Sequence, residues 1–383
     1  MLNQCQIITL AVVLINPVNA EAGFLDFFAN DSLTDGSRYA FVPSSDKPSV
    51  IAVDTAKRIV AAELLLPHIP GAITVSDKLN LLFATDPDNA SVTVIFLGTK
   101  AIVKRLNIGM RGDSALLNPF DRYVAFGSRD GSVSVWDMLD FKEMVRVDGL
   151  DSAENITFSF DGRNLYVVEQ RKKLISVIEM YSRAKVAEIK LGGPVDPDAE
   201  ISAISRSTDG FTGFVSVTSE NRIVVLDLME FKVKQSIPAG TAPVRPYSTA
   251  DNRYILIPNR DDESLTVLSA LSYEVVATIP TQVRARELHS GWLDSVAFVM
   301  PAEGNKMAAV DLVKLKLAEL IELPGHTDDG LVTSDTKMLF TSIIGTGDIA
   351  AIDARSRSLA AVIKTPSTNI GGIKIAISNN ICH

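Results

Sequence analysis

The feature that most constrains the fold is a strand-like segment that recurs about every 42 residues. Eight apolar, β-branched segments end at Asp54, Phe96, Asp137, Glu179, Asp227, Ser269, Asp311 and Asp353, in steps of 42, 41, 42, 48, 42, 42 and 42 residues. Each of these segments is preceded by a second strand-like segment and followed by a third. A less regular fourth segment precedes the next repeat, and ITFSFDG (156–162) is the clearest example of this fourth segment. Four strands in about 42 residues predict one blade of a β-propeller.

The eight repeats predict an all-β chain that folds as an eight-bladed β-propeller of four-stranded antiparallel blades over residues 38–378. The first repeat begins at its second strand, YAFV (39–42), and the last one overruns with GGIKIAIS (371–378). We expect this C-terminal segment to pair into blade 1, because such closure hides both open edges of the array. The extra residues of the fifth repeat fall in a Gly/Pro/Asp loop at 192–200, and residues 379–383 form a tail.

The N-terminus is typical of a secretory signal. An apolar run at 7–15 is too short to span a bilayer, Pro17 ends it, and Val18-Asn19-Ala20 offers small residues before a cleavage site. We therefore expect a signal peptide at 1–20, a lead-in segment at 21–37, a periplasmic or secreted protein, and no membrane span after cleavage. Residues 1–6 carry no Lys or Arg, so an uncleaved short anchor remains the alternative.

The charge of the chain argues against two classes of partner. The formal net charge is −9, and the acidic residues are spread along the sequence. No basic face that could neutralise phosphates is evident, so we expect neither nucleic-acid binding nor adhesion to an anionic membrane.

One repeat carries a family resemblance. YILIPNRDDESLTVLSALSYEVVATI (254–279) resembles the YVTN repeat. With eight blades and a secretory signal, the chain is similar to the cytochrome-d1-like β-propeller superfamily, which includes haem-d1-binding propellers and their periplasmic biogenesis relatives. His289-Ser290-Gly291-Trp292 is similar to a His…Gly-Trp segment of the biogenesis branch, and the resemblance implies handling of haem or a transition metal. A WD40 propeller is the rival, supported by Trp136-Asp137 alone.

Candidate ligand-binding residues lie in the loops that connect one blade to the next. In propellers these crossings share one face and reach the mouth of the central channel, where concave pockets concentrate. The residues selected there are His68, Arg111, Asp113, Glu154, Glu200, Arg245, Arg286, His289, His326 and Asp328.

Two of the selected histidines are candidate metal ligands. His289 and His326 fall in adjacent crossings, and imidazole suits zinc, copper or haem iron. The alternative is that polar loops collect His, Asp and Arg because they are solvated.

The leading functional interpretation is a binding or scaffold protein that recognises a protein partner or a small ligand at the channel mouth. The runner-up is a cofactor-handling propeller, for haem d1 or a metal, that uses the channel-mouth histidines. An enzyme comes third, because neither G-x-S-x-G nor H-E-x-x-H occurs in the sequence.

Cys382 yields a prediction of its own, because cleavage after Ala20 would leave it as the only cysteine. It follows the closing strand and should therefore lie at the face opposite the crossings. We expect an accessible thiol that takes no part in a channel-mouth site and is available for a disulfide with a partner in an oxidising compartment; an inert tail cysteine is the alternative. Thiol labelling of the folded protein checks this, and a protected thiol would show that the strand direction or the closure is wrong.

Overall fold

The computed structural model describes residues 32–375, which form eight four-stranded antiparallel sheets. The strands of blades 1 to 4 are β1 (Tyr39–Pro43), β2 (Ser49–Asp54), β3 (Ile59–Leu65), β4 (Ile73–Ser76), β5 (Leu81–Asp86), β6 (Ser91–Phe96), β7 (Ala101–Asn107), β8 (Ser114–Leu117), β9 (Tyr123–Gly127), β10 (Val133–Asp137), β11 (Lys142–Val147), β12 (Ile156–Phe158), β13 (Asn164–Glu169), β14 (Leu174–Glu179) and β15 (Ala184–Lys190).

The strands of blades 5 to 8 are β16 (Ser205–Arg206), β17 (Thr212–Val217), β18 (Arg222–Asp227), β19 (Lys232–Pro238), β20 (Tyr247–Ser248), β21 (Tyr254–Asn259), β22 (Ser264–Ser269), β23 (Val275–Pro280), β24 (Ala285–Gly291), β25 (Val296–Pro301), β26 (Lys306–Asp311), β27 (Lys316–Glu322), β28 (Thr327–Val332), β29 (Met338–Ile343), β30 (Asp348–Asp353) and β31 (Ser358–Ile363). The last strand, β32 (Lys374–Ile375), belongs to blade 1. Between residues 32 and 375 there is a single 3₁₀ turn, Thr218–Glu220, which follows β17. Within residues 32–375, no helix has the length and apolar character needed to cross a bilayer.

The second and third strands of every blade form the core. Strands such as β2 and β5 are buried along their whole length, because both faces of a blade pack on neighbouring blades. Eight apolar clusters lie one at each of the eight blade interfaces, including the interface of blade 8 with blade 1. Outermost strands such as β3 alternate exposed residues with partly or fully buried ones, as a strand with one solvated face must.

The predicted closure is confirmed. The C-terminal β32 pairs antiparallel with β1, with Ala40 opposite Ile375 and Phe41 opposite Lys374. Residues 376–378 of the predicted closing strand, and Cys382 and His383, lie outside the described residues, as does the predicted signal peptide.

The seam between blades 8 and 1 is also joined through the loop after β1. The backbone N–H of Ser45 donates to the carbonyl of Asn369 (2.9 Å), and the N–H of Gly371 donates to the carbonyl of Pro43 (2.8 Å). The Asp46 carboxylate accepts hydrogen bonds from the side chains of Ser367 and Thr368, which hold its pKa well below the ordinary value.

The recurring carboxylate at the end of the third strand has a local structural role. In the turn to the outermost strand, Asp227 accepts the backbone N–H groups of Met229 (3.1 Å) and Glu230 (2.9 Å), and Asp353 makes the equivalent bonds. The residue four positions after the end of the third strand has positive φ in all eight blades, although none of the eight is glycine. The carboxylate therefore satisfies the N–H groups of a turn that reverses the chain tightly.

Deletion of residues 371–383 tests the closure. The truncated chain should lose β32 and the seam contacts of Gly371, leaving β1 and the apolar interface of blades 8 and 1 open. We expect loss of most of the stability, measured as a large drop in the melting temperature followed by circular dichroism. A truncated protein that melts cooperatively at the parental temperature would contradict the eight-blade closure.

The turn carboxylates predict acid sensitivity. The hydrogen bond from the N–H of Glu230 lowers the pKa of Asp227, although burial acts in the opposite direction. The ionised Asp227 therefore stabilises the folded state at pH values above its unfolded pKa of about 4, and this stabilisation is lost as the pH falls further. Asp227→Asn should therefore destabilise the protein by about 1 kcal/mol at pH 7 and by less at pH 3, measured by urea unfolding. The matched control is Asp88→Asn, which changes an exposed turn aspartate. Equal destabilisation at both pH values would contradict the role given to Asp227.

Candidate functional site

The channel of the propeller is lined by the first strand of each blade. These innermost strands approach their neighbours around the ring, as β24 does β28 and β32 does β4. Three of the selected residues lie on innermost strands and not in crossing loops: Arg286 and His289 are in β24, and Asp328 is in β28. These residues are thus held on strands that line the channel, which gives their side chains fixed directions.

Three side chains from two neighbouring blades meet in the channel and are called the channel cluster: Glu287, His289 and Asp329. One ligating atom of each lies within 4.8 Å of the others. Nε2 of His289 lies 3.1 Å from Oε1 of Glu287, a contact that is an ion pair when the imidazole is protonated. Oε1 of Glu287 accepts the backbone N–H of Gly330 (2.8 Å), which links β24 to β28. The three side chains keep 22–26% of their surface accessible.

Strand geometry explains how the channel cluster forms. Glu287 and His289 are two positions apart on β24, so their side chains point to the same face of the strand. The pairing of β24 with β25 shifts between Ala285 and Glu287, and that of β28 with β29 shifts between Thr327 and Gly330. Bulges of this kind re-aim side chains and are frequent near functional sites.

Two glycines make room for the channel cluster. A Cβ atom on Gly330 would lie 2.8 Å from Nε2 of His289, and one on Gly372 would lie 2.7 Å from Oδ2 of Asp329. Both distances are shorter than van der Waals contact allows, so any larger residue would displace the imidazole or the carboxylate.

The charges of the channel cluster depend strongly on one another. Burial and the nearby Asp329 raise the pKa of Glu287. Burial opposes the charged form of His289, but Glu287 and Asp329 outweigh it and raise the pKa of the imidazole. Burial likewise disfavours ionised Asp329, yet Lys374, whose Nζ lies 2.7 Å from Oδ2, keeps the pKa of this carboxyl low. The carboxylate of Asp329 in turn raises the pKa of Lys374, the first residue of the closing strand.

Arg245 supplies a second cation from the crossing between blades 5 and 6. Its Nε donates to Oγ of Ser205 (3.2 Å) and its Nη2 to the carbonyl of Ile204 (3.2 Å), both neutral acceptors. Among the described residues, no carboxylate lies within salt-bridge distance of Arg245 and none accepts a hydrogen bond from its Nη1. The side chain is accessible in the channel, while the surrounding protein lowers its pKa by desolvation. The guanidinium is still charged, because its ordinary pKa is far above neutrality.

Arg245 lines a cavity of about 470 Å³ at the crossing-loop face, called the mouth cavity. Charged side chains in its wall are Glu200, Arg245, Arg260 and Arg286. Glu200 accepts two hydrogen bonds from Arg260, each of 3.1 Å, and Arg286 pairs with Asp328. Apolar wall comes from Ile201, Ala203, Val244, Ala285 and Ala302. Three arginines with two acidic partners leave an excess of positive charge in this wall.

The structure places the other selected residues in local contacts. Arg111 pairs with Asp113 (2.9 Å), and Glu154 pairs with Arg129 (2.6 Å). His68 is buried, with Nε2 2.9 Å from Oγ1 of Thr93. These contacts can be satisfied without a ligand.

The two candidate metal ligands have different surroundings. His289 belongs to the channel cluster, whereas Nδ1 of His326 lies 3.2 Å from the carbonyl of Gly304. Their joint metal site thus stays a prediction. Glu287 and Asp329 fall in the same predicted crossings as the selected residues but were not selected from the sequence, and neither was Lys374. The Glu-x-His pattern on one strand face was the signal that could have identified Glu287.

A larger cavity, of about 800 Å³, lies on the opposite face between blades 3 and 4. Its wall includes Phe120 and Tyr181, and two of its arginines have acidic partners, since Arg122 pairs with Asp137 (2.7 Å) and Arg163 with Asp161 (3.4 Å). Its lining is mostly apolar, and it is therefore the weaker candidate for a specific polar ligand.

Comparison with known proteins identifies the fold. No family model matches the sequence, and no curated protein matches it. Among solved structures, the chain is similar to dihydro-haem d1 dehydrogenase NirN in complex with DHE, with a TM-score of 0.74 and 16% identity over 91% of this chain and 77% of that chain. It is also similar to a functionally unknown protein from Desulfotomaculum acetoxidans, with a TM-score of 0.62 and 12% identity over 88% of this chain and 98% of that chain. A third similar structure is Kuenenia stuttgartiensis hydrazine synthase, with a TM-score of 0.56 and 16% identity over 74% of this chain and 95% of that chain. These likenesses show a shared fold, that of the β-propeller.

Proposed function

We propose that this propeller binds a small anionic ligand, carrying carboxylate or phosphate groups, in the mouth cavity. The observation that carries the proposal is Arg245, an accessible guanidinium in the wall of the mouth cavity that has neutral hydrogen-bond partners and no carboxylate within salt-bridge distance among the described residues. An accessible arginine without a direct acidic partner can pair with the carboxylate or phosphate of a ligand. Guanidinium groups bind carboxylate and phosphate through paired hydrogen bonds, and Arg245 keeps Nη1 for this purpose.

The size and the lining of the mouth cavity support a small molecule. A volume of about 470 Å³ lies within the usual range for ligand pockets. Apolar side chains beside the three arginines suit a compound with an apolar body and acidic substituents. Arg260 and Arg286 already have acidic partners, so they would attract an anionic ligand only over a longer distance. Arg245 would make the direct contact with the ligand.

Titration calorimetry of the full chain tests the proposal with inorganic phosphate, citrate and metal-free protoporphyrin IX. We expect at least one of them to bind, and Arg245→Gln to weaken that binding by about 10- to 100-fold, the value of a charge-assisted hydrogen bond. The matched control is Arg284→Gln, on the same face, because Arg284 pairs with Asp261 and Glu303 outside the mouth cavity. Absence of binding by all three probes, or equal losses in both variants, would contradict the proposal.

A second candidate is handling of a haem-type cofactor. It is favoured by the likeness in fold to a structure of a haem d1 dehydrogenase with its ligand, and a tetrapyrrole with acidic side chains would match the arginines. The described residues do not fit axial ligation there, because none of His68, His289 and His326 lines the mouth cavity. If one of them did ligate the iron, haem would bind more tightly than metal-free protoporphyrin IX and its absorbance spectrum would shift; we expect neither.

The place of action is proposed to be the periplasm or the outside of the cell. The support is the apolar run at 7–15 followed by small residues before position 21, all outside the described residues. N-terminal sequencing of protein purified from its host tests this, and a mature protein that retains residues 1–20 would contradict it.

A further inference from the structure

We propose that the channel cluster, Glu287, His289 and Asp329, is a binding site for a divalent metal ion of the zinc type. This site goes beyond the proposed anion binding and does not depend on it. Within the part of the chain that the structure describes, it is the one group of three or more His, Cys, Asp or Glu residues close enough to share an ion.

The distances suit one ion. Zinc ligands lie about 2.0–2.2 Å from the metal, so two ligands of the same ion are at most about 4.4 Å apart. Oε1 of Glu287 and Nε2 of His289 are 3.1 Å apart, and all three ligating atoms lie within 4.8 Å. A side-chain shift of a few tenths of an ångström would bring all three within bonding distance. One imidazole and two carboxylates form a mixed nitrogen and oxygen set that suits a borderline ion such as Zn²⁺.

An independent observation comes from His289. Its Nε2 is buried and lies 3.1 Å from Oε1 of Glu287, without a well-formed hydrogen bond. A metal ion held by these two atoms would supply Nε2 with a bond that the protein alone does not complete. Gly330 places no side chain against this nitrogen, and a Cβ there would clash with it.

The rigidity of the scaffold favours the same conclusion. Glu287 and His289 are on one strand of blade 7, and Asp329 is on the adjacent innermost strand of blade 8. Sites built on paired strands hold their ligands more accurately than sites built on loops. Three protein ligands also leave at least one coordination position for water or for a bound anion, as in catalytic zinc sites.

Lys374 would compete with the metal. Its Nζ lies 2.7 Å from Oδ2 of Asp329 and neutralises this carboxylate when no metal is bound. A divalent ion must displace this ammonium group, which sits on a flexible, half-exposed side chain. Arg245 adds further positive charge nearby, because its charge interacts with Glu287 and Asp329. Removing the charge of Lys374 should therefore strengthen metal binding.

The experiment uses the full chain, freed of metal with a chelator and titrated with Zn²⁺ against a chromophoric competitor. All proteins carry Cys382→Ser and His383→Ala, so that the C-terminal thiol and imidazole cannot bind the ion. The absorbance of Co²⁺ in the visible range gives a second readout, which reports nitrogen and oxygen coordination directly.

We expect one Zn²⁺ per chain, a loss of at least about tenfold in affinity for His289→Gln and for Asp329→Asn, and a gain of at least about threefold for Lys374→Met. The control is His326→Gln, which should leave the affinity unchanged. A gain in affinity cannot result from misfolding, so Lys374→Met keeps the test decisive if a ligand variant folds poorly. Absence of Zn²⁺ binding, a loss in His326→Gln with none in His289→Gln, or weaker binding by Lys374→Met would overturn the proposal.

Discussion

The structure depends on the packing of both faces of every blade. The second and third strands of the blades are buried, and each of the eight interfaces contains its own apolar cluster. A sheet that is apolar on both faces cannot end an open array, because its outer face would be exposed to water at a cost of about 25 cal/mol per Å². The ring must therefore close, and β32 closes it by pairing with β1.

Closure also creates the chemistry of the channel. Innermost strands of different blades converge there, and the residues that face the channel cannot pack on a neighbouring sheet. They are polar at blades 6, 7, 8 and 1, where Arg245, the channel cluster and Lys374 lie. Lys374 is on the strand that closes the ring, and its ion pair with Asp329 crosses the seam between blades 8 and 1. The contact that balances charge in the channel is thus also a contact that holds the ring together.

Opposite charges lie side by side in this channel, which suits more than one kind of ligand. The acidic cluster attracts a cation, and the arginines of the mouth cavity attract an anion. An anion held by Arg245 would place its charge near any ion held by Glu287, His289 and Asp329. The likeness to a haem d1 dehydrogenase is a likeness of fold, and the site has to be argued from this chain's own side chains.

The sequence by itself determined the architecture, because the eight recurring strand ends at nearly constant spacing require a repeat of about 42 residues, and GGIKIAIS supplies the missing strand of blade 1. The turn carboxylates were visible as recurring letters, but their hydrogen bonds to the backbone were not. At the site, the sequence pointed to residues near the crossings, among them Arg245, Arg286 and His289, and their role in binding stays a prediction.

Only the tertiary structure decided which of these residues meet. His326 and His289 lie in neighbouring repeats, yet His326 contacts Gly304, while Asp329, three positions further along the chain, joins His289. Lys374 lies 45 residues after Asp329, about one repeat along the chain, and reaches it from the next innermost strand. The physical reason is that strand periodicity is a local property that any repeat displays. Contacts across a channel, in contrast, depend on bulges, on glycines that admit a neighbouring side chain, and on which blades the closure makes adjacent.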